Sequence, residues 1–404
     1  MFISIKKIRK LMEDLVYELD VLKKIVAVNS DSLTKIGYPE CAEILAGEAD
    51  KIGLEVEIYD SKAKSSDNLS RPNVVATLDV GASKTLLAAV HYDIVPPGNG
   101  WMQDPFTLTV MGEKAYGRGA ADDKGAIAAL LGAAKRVGKG AKTNFKLLIT
   151  PDEEVGGELG LGYLINEIGI KGDEALIADA GNEFLSIGAS GIVTGTISVK
   201  GIQGHAGYPH KALNALQGIG RLIVDLDRFQ AFMEQKLSRF DAPPKSIKDK
   251  IWGRFSVTML KSGIKSNIIP GLAELTFDMR LIPEEDATIA ENELREFLSR
   301  VDLIDKGYKI DLSVTQSGGN YYTDPKLPFV QSFKRCVEKV TGKPMPLAAE
   351  LGGNDGRYTS SKGIPTISYG PIAEDTNFHG VNEFIWLRDI STVRDTIVEY
   401  LKLG

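Results

Sequence analysis

Four apolar runs in this chain each lead into a residue that can bind a metal ion. Leu86-Leu87-Ala88-Ala89-Val90 runs into His91-Tyr92-Asp93, and Lys146-Leu147-Leu148-Ile149-Thr150 into Asp152-Glu153-Glu154. Ala175-Leu176-Ile177-Ala178 ends at Asp179, and Pro365-Thr366-Ile367-Ser368 leads on to His379. Short apolar runs without alternation read as buried strands of a mainly parallel sheet. Ligands of such sheets gather at the carboxyl ends of the strands. Imidazole and carboxylate donors converging there make a metal site of the zinc type.

The rest of the chain sets the frame. Its 404 residues are enough for two domains with cores of their own. A net charge of −6 argues against a general nucleic-acid partner, which would call for a basic face. No apolar stretch approaches the roughly 20 residues of a membrane span. Near the N-terminus Ile8, Leu11, Met12, Leu15, Leu19 and Leu22 recur at helical spacing between charges, which predicts one amphipathic helix rather than a signal peptide. Cys41 and Cys336 sit in no ligand-like spacing and fit a reducing cytoplasm.

Helix and strand alternate up to about residue 188, with helices at 40–51 and from Lys124 and a strand at 54–59. The rhythm then changes. Strand 193–199, helix 212–229, strands 255–260 and 273–280, helix 288–301 and strand 309–314 give the order βαββαβ of a ferredoxin-like unit. The first rhythm resumes near Pro325, with a helix at 329–340. The predicted architecture is α/β, mainly parallel in its sheet: a larger domain of residues 1–189 and 317–404, and an inserted smaller domain of residues 190–316. Asp241-Ala242-Pro243-Pro244-Lys245 reads as a loop.

The chain has four histidines, His91, His205, His210 and His379. Asp93 lies two residues beyond His91, on the same side of an extended segment, where a carboxylate can fix the imidazole. A buried, hydrogen-bonded histidine is nevertheless the commoner fate of a lone one. Asp122 and Asp123 lie in a glycine-rich turn before a helix, where acids also complement the helix dipole. Asp152-Glu153-Glu154 crowds three carboxylates, which repel unless a cation compensates them, and a solvated acidic turn is the plain alternative. Neighbours in an extended segment point opposite ways, so one glutamate can bind metal while the other faces substrate. Together, two histidines and three carboxylates can form two sites sharing one bridge. Two divalent ions then balance three carboxylates and a hydroxide, which lowers the cost of burial.

HYDIVP at His91, GRGAADDKG around Asp122, DEEVGG at Asp152, GHAGYP around His205 and FHGVNE around His379 resemble the di-zinc aminoacylase family. That family includes acetylornithine deacetylase, succinyl-diaminopimelate desuccinylase, glutamate carboxypeptidase and related dipeptidases. The resemblance runs from about His91 to Glu383. It implies two zinc ions per chain, with Co2+ or Mn2+ as substitutes. Asp122 would bridge them, with His91 and Asp179 on one ion and Glu154 and His379 on the other. It implies Glu153 as general base, Asp93 orienting His91, and a cis peptide between Asp122 and Asp123. It gives the inserted unit the role of a lid and of a homodimer contact, with His205 steadying the oxyanion. Asn267 and Arg280 match positions that hold the substrate's carboxylate and polar groups, and Gly352, Gly353, Asn354 and Arg357 match a substrate loop. His210 has no match and reads as surface.

Three departures bear on the substrate. Gly353 and Asn354 stand where desuccinylases carry hydroxyl residues, Asp179 stands where deacylases carry Glu, and Asp123 where they often carry Met. The last two resemble the dipeptidase branches. The resemblance implies a cytoplasmic hydrolase of an amide next to a free carboxylate, acting on an acylated amino acid or short peptide. A carboxypeptidase or dipeptidase is the second reading. A non-catalytic, metal-stabilised binding protein would not need Glu153 beside the ligands. A nucleotide-binding protein fares worse, since no GxxxxGK[ST] or GxGxxG follows a strand.

Overall fold

A computed structural model describes residues 5–403. The chain forms two compact units. One takes the chain up to Ile187, Thr323–Leu347 and the chain from Asn354 onward; the other takes Gly188–Tyr322 and Ala348–Gly353.

The first unit is built on a mixed sheet. Its four central strands, in order Asn144–Thr150, Thr85–His91, Glu174–Ile177 and Thr366–Ser368, are mutually parallel. These are the four apolar runs of the sequence, and nearly every residue in them is buried. Burial on both faces is what removes the alternation of polar and apolar residues. Pro72–Leu78 adds antiparallel to Asn144–Thr150, Glu55–Asp60 adds antiparallel beyond it, and Leu185–Ala189 borders Thr366–Ser368 antiparallel. The parallel character is therefore confined to the centre, where the donors are. Helix Lys124–Val137 packs on this sheet and against neighbouring helices, and its Ile127, Leu130 and Leu131 are fully buried.

The N-terminal helix divides into Ile5–Asp14 and Val16–Val26, because Leu15 leaves helical geometry at φ −108°, ψ 19°. A small sheet of Thr109–Met111, Lys114–Tyr116 and Phe384–Trp386 ties the segment before Asp122 to the segment after His379. Among the described residues no helix is long and apolar enough to cross a membrane. Cys41 and Cys336 are buried free thiols.

The second unit has the order βαββαβ. Its antiparallel sheet runs Arg254–Ser262, Leu272–Leu281, Gly191–Lys200, Lys309–Gly318. Leu272–Leu281 alternates buried and partly exposed residues, so the sheet has one covered and one open face. Helices Ala215–Gln235 and Ala287–Ser299 cover the first, packing Leu222, Leu226, Phe229 and Leu294 against Ile197, Phe277 and Met279. Asn214 and Asp286 cap these helices by accepting two backbone N–H groups each. The segment around Pro243-Pro244 is the tip of a hairpin formed by Leu237–Asp241 and Lys250–Trp252.

Candidate metal centre

His91 is the last residue of its strand and is buried. Its Nδ1 lies 3.1 Å from the Asp93 carbonyl and 3.4 Å from Asp93 Oδ1. That leaves Nε2 to face Asp122 Oδ1 at 3.0 Å and Asp179 Oδ2 at 4.0 Å. His379 lies in the left-handed region, φ 62°, and turns its Nε2 to Asp122 Oδ2 at 3.0 Å and Glu154 Oε1 at 3.1 Å. Each oxygen of Asp122 therefore faces a different imidazole.

Asp93 has a second role that its spacing from His91 does not show. Its Oδ1 and Oδ2 accept the backbone N–H groups of Glu153 and Glu154, both at 3.2 Å. One carboxylate so holds both an imidazole and the acidic turn. The turn begins at Asp152, φ 64°, whose carboxylate accepts from Tyr38 Oη at 2.9 Å and Arg71 Nε at 2.5 Å. It closes at Gly156 and Gly157, φ 111° and 68°; a Cβ on Gly157 would lie 2.3 Å from Asp355 Oδ1, so only glycine fits.

Asp122 is held from below by Glu383. The Glu383 carboxylate accepts the N–H groups of Gly119 at 3.0 Å, Ala121 at 2.8 Å and Asp122 at 3.1 Å, and Arg118 Nη1 at 2.6 Å. Arg118 Nη2 reaches on to the Gly380 carbonyl at 2.9 Å, beside His379. One buried ion pair thus fixes both the bridging aspartate and a histidine loop. Removing one member of a buried pair leaves the other charge uncompensated. Glu383→Ala should lower unfolding free energy by about 3–5 kcal/mol, read from denaturant unfolding. An unchanged midpoint would contradict this account of the turn. The peptide between Asp122 and Asp123 is cis.

Two donor sets result: His91, Asp122 and Asp179, and Asp122, Glu154 and His379, with the donor atoms in each within 4.8 Å of one another. Burial raises the Asp122 carboxyl, but hydrogen bonds with His379 and His91 more than offset this and hold it below the usual range. Hydrogen bonds with Asp122 and Glu154 push His379 up to about 10. Burial and then the Asp179 charge push Glu153 well up. Four buried or partly buried donors and the exposed His379, with one carboxylate shared between the two sets, fit a pair of divalent cations. Asp355, which sequence reasoning did not single out, joins His91, Glu153 and Asp179 in lining a small pocket, and burial pushes it up to about 7.

The remaining predicted residues fall in separate places. Asn354 Nδ2 donates to Ser368 Oγ at 3.0 Å, and Arg357 Nη2 donates to the Gly156 carbonyl and to Tyr358 Oη. In the second unit, Gly204–His205 pairs with Ile268–Ile269, and Ala206 N–H donates to the Asn267 carbonyl at 3.0 Å, which brings His205 and Asn267 together. His205 is exposed, and its Nδ1 accepts the Gly207 N–H at 3.0 Å. Arg280 and the Gly352-Gly353 segment lie at one end of the four-stranded sheet's open face, and His210 is exposed.

Fold and donor sets define a metal-dependent hydrolase of the amidohydrolase and peptidase class. The model of peptidase family M20/M25/M40 matches residues 87–403, and the chain belongs to this family. It is 30% identical over 360 residues to an uncharacterized metallohydrolase of Methanocaldococcus jannaschii, covering 83% of this chain and 84% of that one. It is 31% identical over 312 residues to the succinyl-diaminopimelate desuccinylase of Sulfurimonas denitrificans, covering 74% and 78%. An M20 family metallo-carboxypeptidase from Sulfolobus solfataricus shares the fold, with a TM-score of 0.78 at 22% identity over 96% of this chain and 98% of that one.

Proposed function

We propose that this protein hydrolyses an amide next to a free carboxylate, as a deacylase of N-acyl amino acids of the acetylornithine or succinyl-diaminopimelate type, in the cytoplasm. The observation that carries this reading is the Asp122 carboxylate turned with one oxygen to each imidazole, beside a glutamate that belongs to neither donor set. His91 and Asp179 on one side, and Glu154 and His379 on the other, would hold two divalent ions with Asp122 between them, zinc in the native enzyme and Co2+ or Mn2+ as substitutes. Bound there, the ions would supply Lewis acidity. Glu153, which belongs to neither donor set, would take a proton from the attacking water and return it to the leaving amine. His205 Nδ1 is an acceptor, so its neutral ring carries the proton on Nε2 and donates it as a hydrogen bond to the developing oxyanion.

Asp179 and Asp123 favour a second reading, a carboxypeptidase or dipeptidase with the same machinery. Assay of the zinc-loaded enzyme on N-acyl amino acids and dipeptides separates the two. Faster turnover of acyl amino acids supports the first reading, faster turnover of dipeptides the second, and no turnover of either overturns both.

The lid is proposed to pair with a second copy, so that His205 serves the partner's site. The exposed Met259 and Leu260 on the edge strand Arg254–Ser262 support this. Mixing inactive Glu153→Gln and His205→Ala chains should then restore part of the activity, since a mixed dimer rebuilds one complete site. No recovery despite confirmed subunit exchange would confine His205 to its own chain.

A further inference from the structure

The loops that carry the donors also hold large apolar side chains out in water. On one side, Phe378 precedes His379 and Val381 follows it, and both are exposed. Phe378 sits between two residues in the left-handed region, Asn377 at φ 54° and His379 at φ 62°, and Asn382 follows at φ 57°. Such backbone is costly for residues other than glycine, so the loop's shape rather than any burial of its side chains presents Phe378. The Phe378 ring crosses the His379 imidazole at 73°, with centroids 5.6 Å apart. Asn382 Oδ1 accepts the Met102 N–H at 2.7 Å, which brings the 67% exposed Met102 to the same loop.

The acidic turn and its supports add three more. Val155 directly follows Glu154 and is 54% exposed. The exposed Leu69 gives its carbonyl to Arg71 Nη1 at 2.9 Å, and Arg71 also holds Asp152 at the start of the turn. The exposed Leu33 follows Ser32, whose N–H donates at 3.0 Å to the carbonyl of Ile94, the residue after Asp93. All six lie in the first unit. Apolar side chains exposed singly need no explanation, but six on the loops that hold one set of donors do. The buried guanidinium groups of these loops are already occupied: Arg71 by Asp67 and Asp152, Arg118 by Glu383. A group lying on this rim therefore meets methyl groups, a ring and a polarizable thioether, which adapts to varied apolar shapes.

We infer that this rim is a subsite for a large apolar group of the substrate, a branched or aromatic side chain or an acyl chain next to the scissile amide. Phe378 and Met102 are its specificity-determining residues, held together by the Asn382 hydrogen bond. Binding removes the rim and the substrate group from water together, and a small or charged group gains nothing there. The inference rests on the proposed amide hydrolysis, which both readings share, and narrows its substrates to those with an apolar group.

The test measures Kd by equilibrium dialysis on the metal-loaded Glu153→Gln chain and kcat/KM on wild type. The compounds are acetylphenylalanine and hexanoylglycine against acetylglycine, acetylornithine and succinylglycine. One of the two apolar compounds should bind about 10-fold or more tighter than acetylglycine, and wild type should favour it by a similar factor in kcat/KM. Phe378→Ser should remove most of that preference while leaving acetylglycine binding unchanged. Met102→Ser, which is remote in sequence from every donor, should remove part of it. Metal counts and thermal unfolding check that the variants are loaded and folded. Tighter binding of acetylornithine or succinylglycine, or an apolar preference that survives both substitutions, overturns the subsite, and turnover by wild type then leaves the hydrolase reading standing. Substitutions that change the sedimentation coefficient but not the preference assign the rim to a subunit contact and overturn the subsite as well. Absence of turnover of every compound by wild type overturns the hydrolase reading, while the dialysis ratios still decide whether the rim binds apolar groups.

Discussion

Replacing Glu153 by Gln should lower turnover by about 10²–10⁴-fold, the usual worth of a positioned proton-transfer group. The substitution keeps size and shape, but an amide cannot accept the proton that the attacking water must lose. Glu153 lies outside both donor sets, so metal content should be unchanged. Its backbone is anchored separately, by the N–H bond to Asp93, so the turn should persist. The check is a kcat measurement alongside a metal count on the same preparation. Turnover within a few-fold of wild type, at full metal content, would remove Glu153 from the mechanism.

Replacing Asp122 by Ala should have the largest effect on the metal itself. Asp122 is the one residue common to both donor sets. Without it each set falls to two donors, below the three protein ligands of an ordinary catalytic zinc site. Metal retention should drop below about one ion per chain after dialysis, with turnover lost altogether. Asp179→Ala should be milder, because it touches one set and leaves the other whole. Elemental analysis of the two variants side by side decides the matter. An Asp122→Ala chain that still holds two ions would mean that the bridge lies elsewhere.

Much of this site is legible in the sequence because buried parallel strands write themselves as unbroken apolar runs. Each run ends where the backbone leaves the sheet, and the next polar residue is then at the carboxyl edge. His91, Glu154 and Asp179 are found this way, and the glycines around Asp122 mark its turn. The βαββαβ order of the second unit is legible for a related reason: its strands are covered on one face, so alternation survives, as along Leu272–Leu281. What holds the donors in place is not legible. Arg118 and Glu383 are 265 residues apart and meet only because the small sheet pairs Phe384 with Tyr116. Asp93 supports the acidic turn 60 residues away through backbone N–H groups, which no side-chain pattern records. Tyr38 and Arg71 reach Asp152 from outside the motif entirely. Spacing alone leaves Arg280 open to a salt bridge as well as to a substrate role, and the structure pairs it with Asp278 two residues before it.

The most direct test of a two-ion hydrolytic centre is a titration of chelator-stripped protein with Zn2+, following bound metal by mass spectrometry and turnover of the best panel substrate in the same samples. The account predicts no turnover without metal and a plateau at two bound ions per chain. Full turnover in the stripped protein, or a chain that binds no Zn2+ at the His91, Asp122, Glu154, Asp179 and His379 donors, would contradict it.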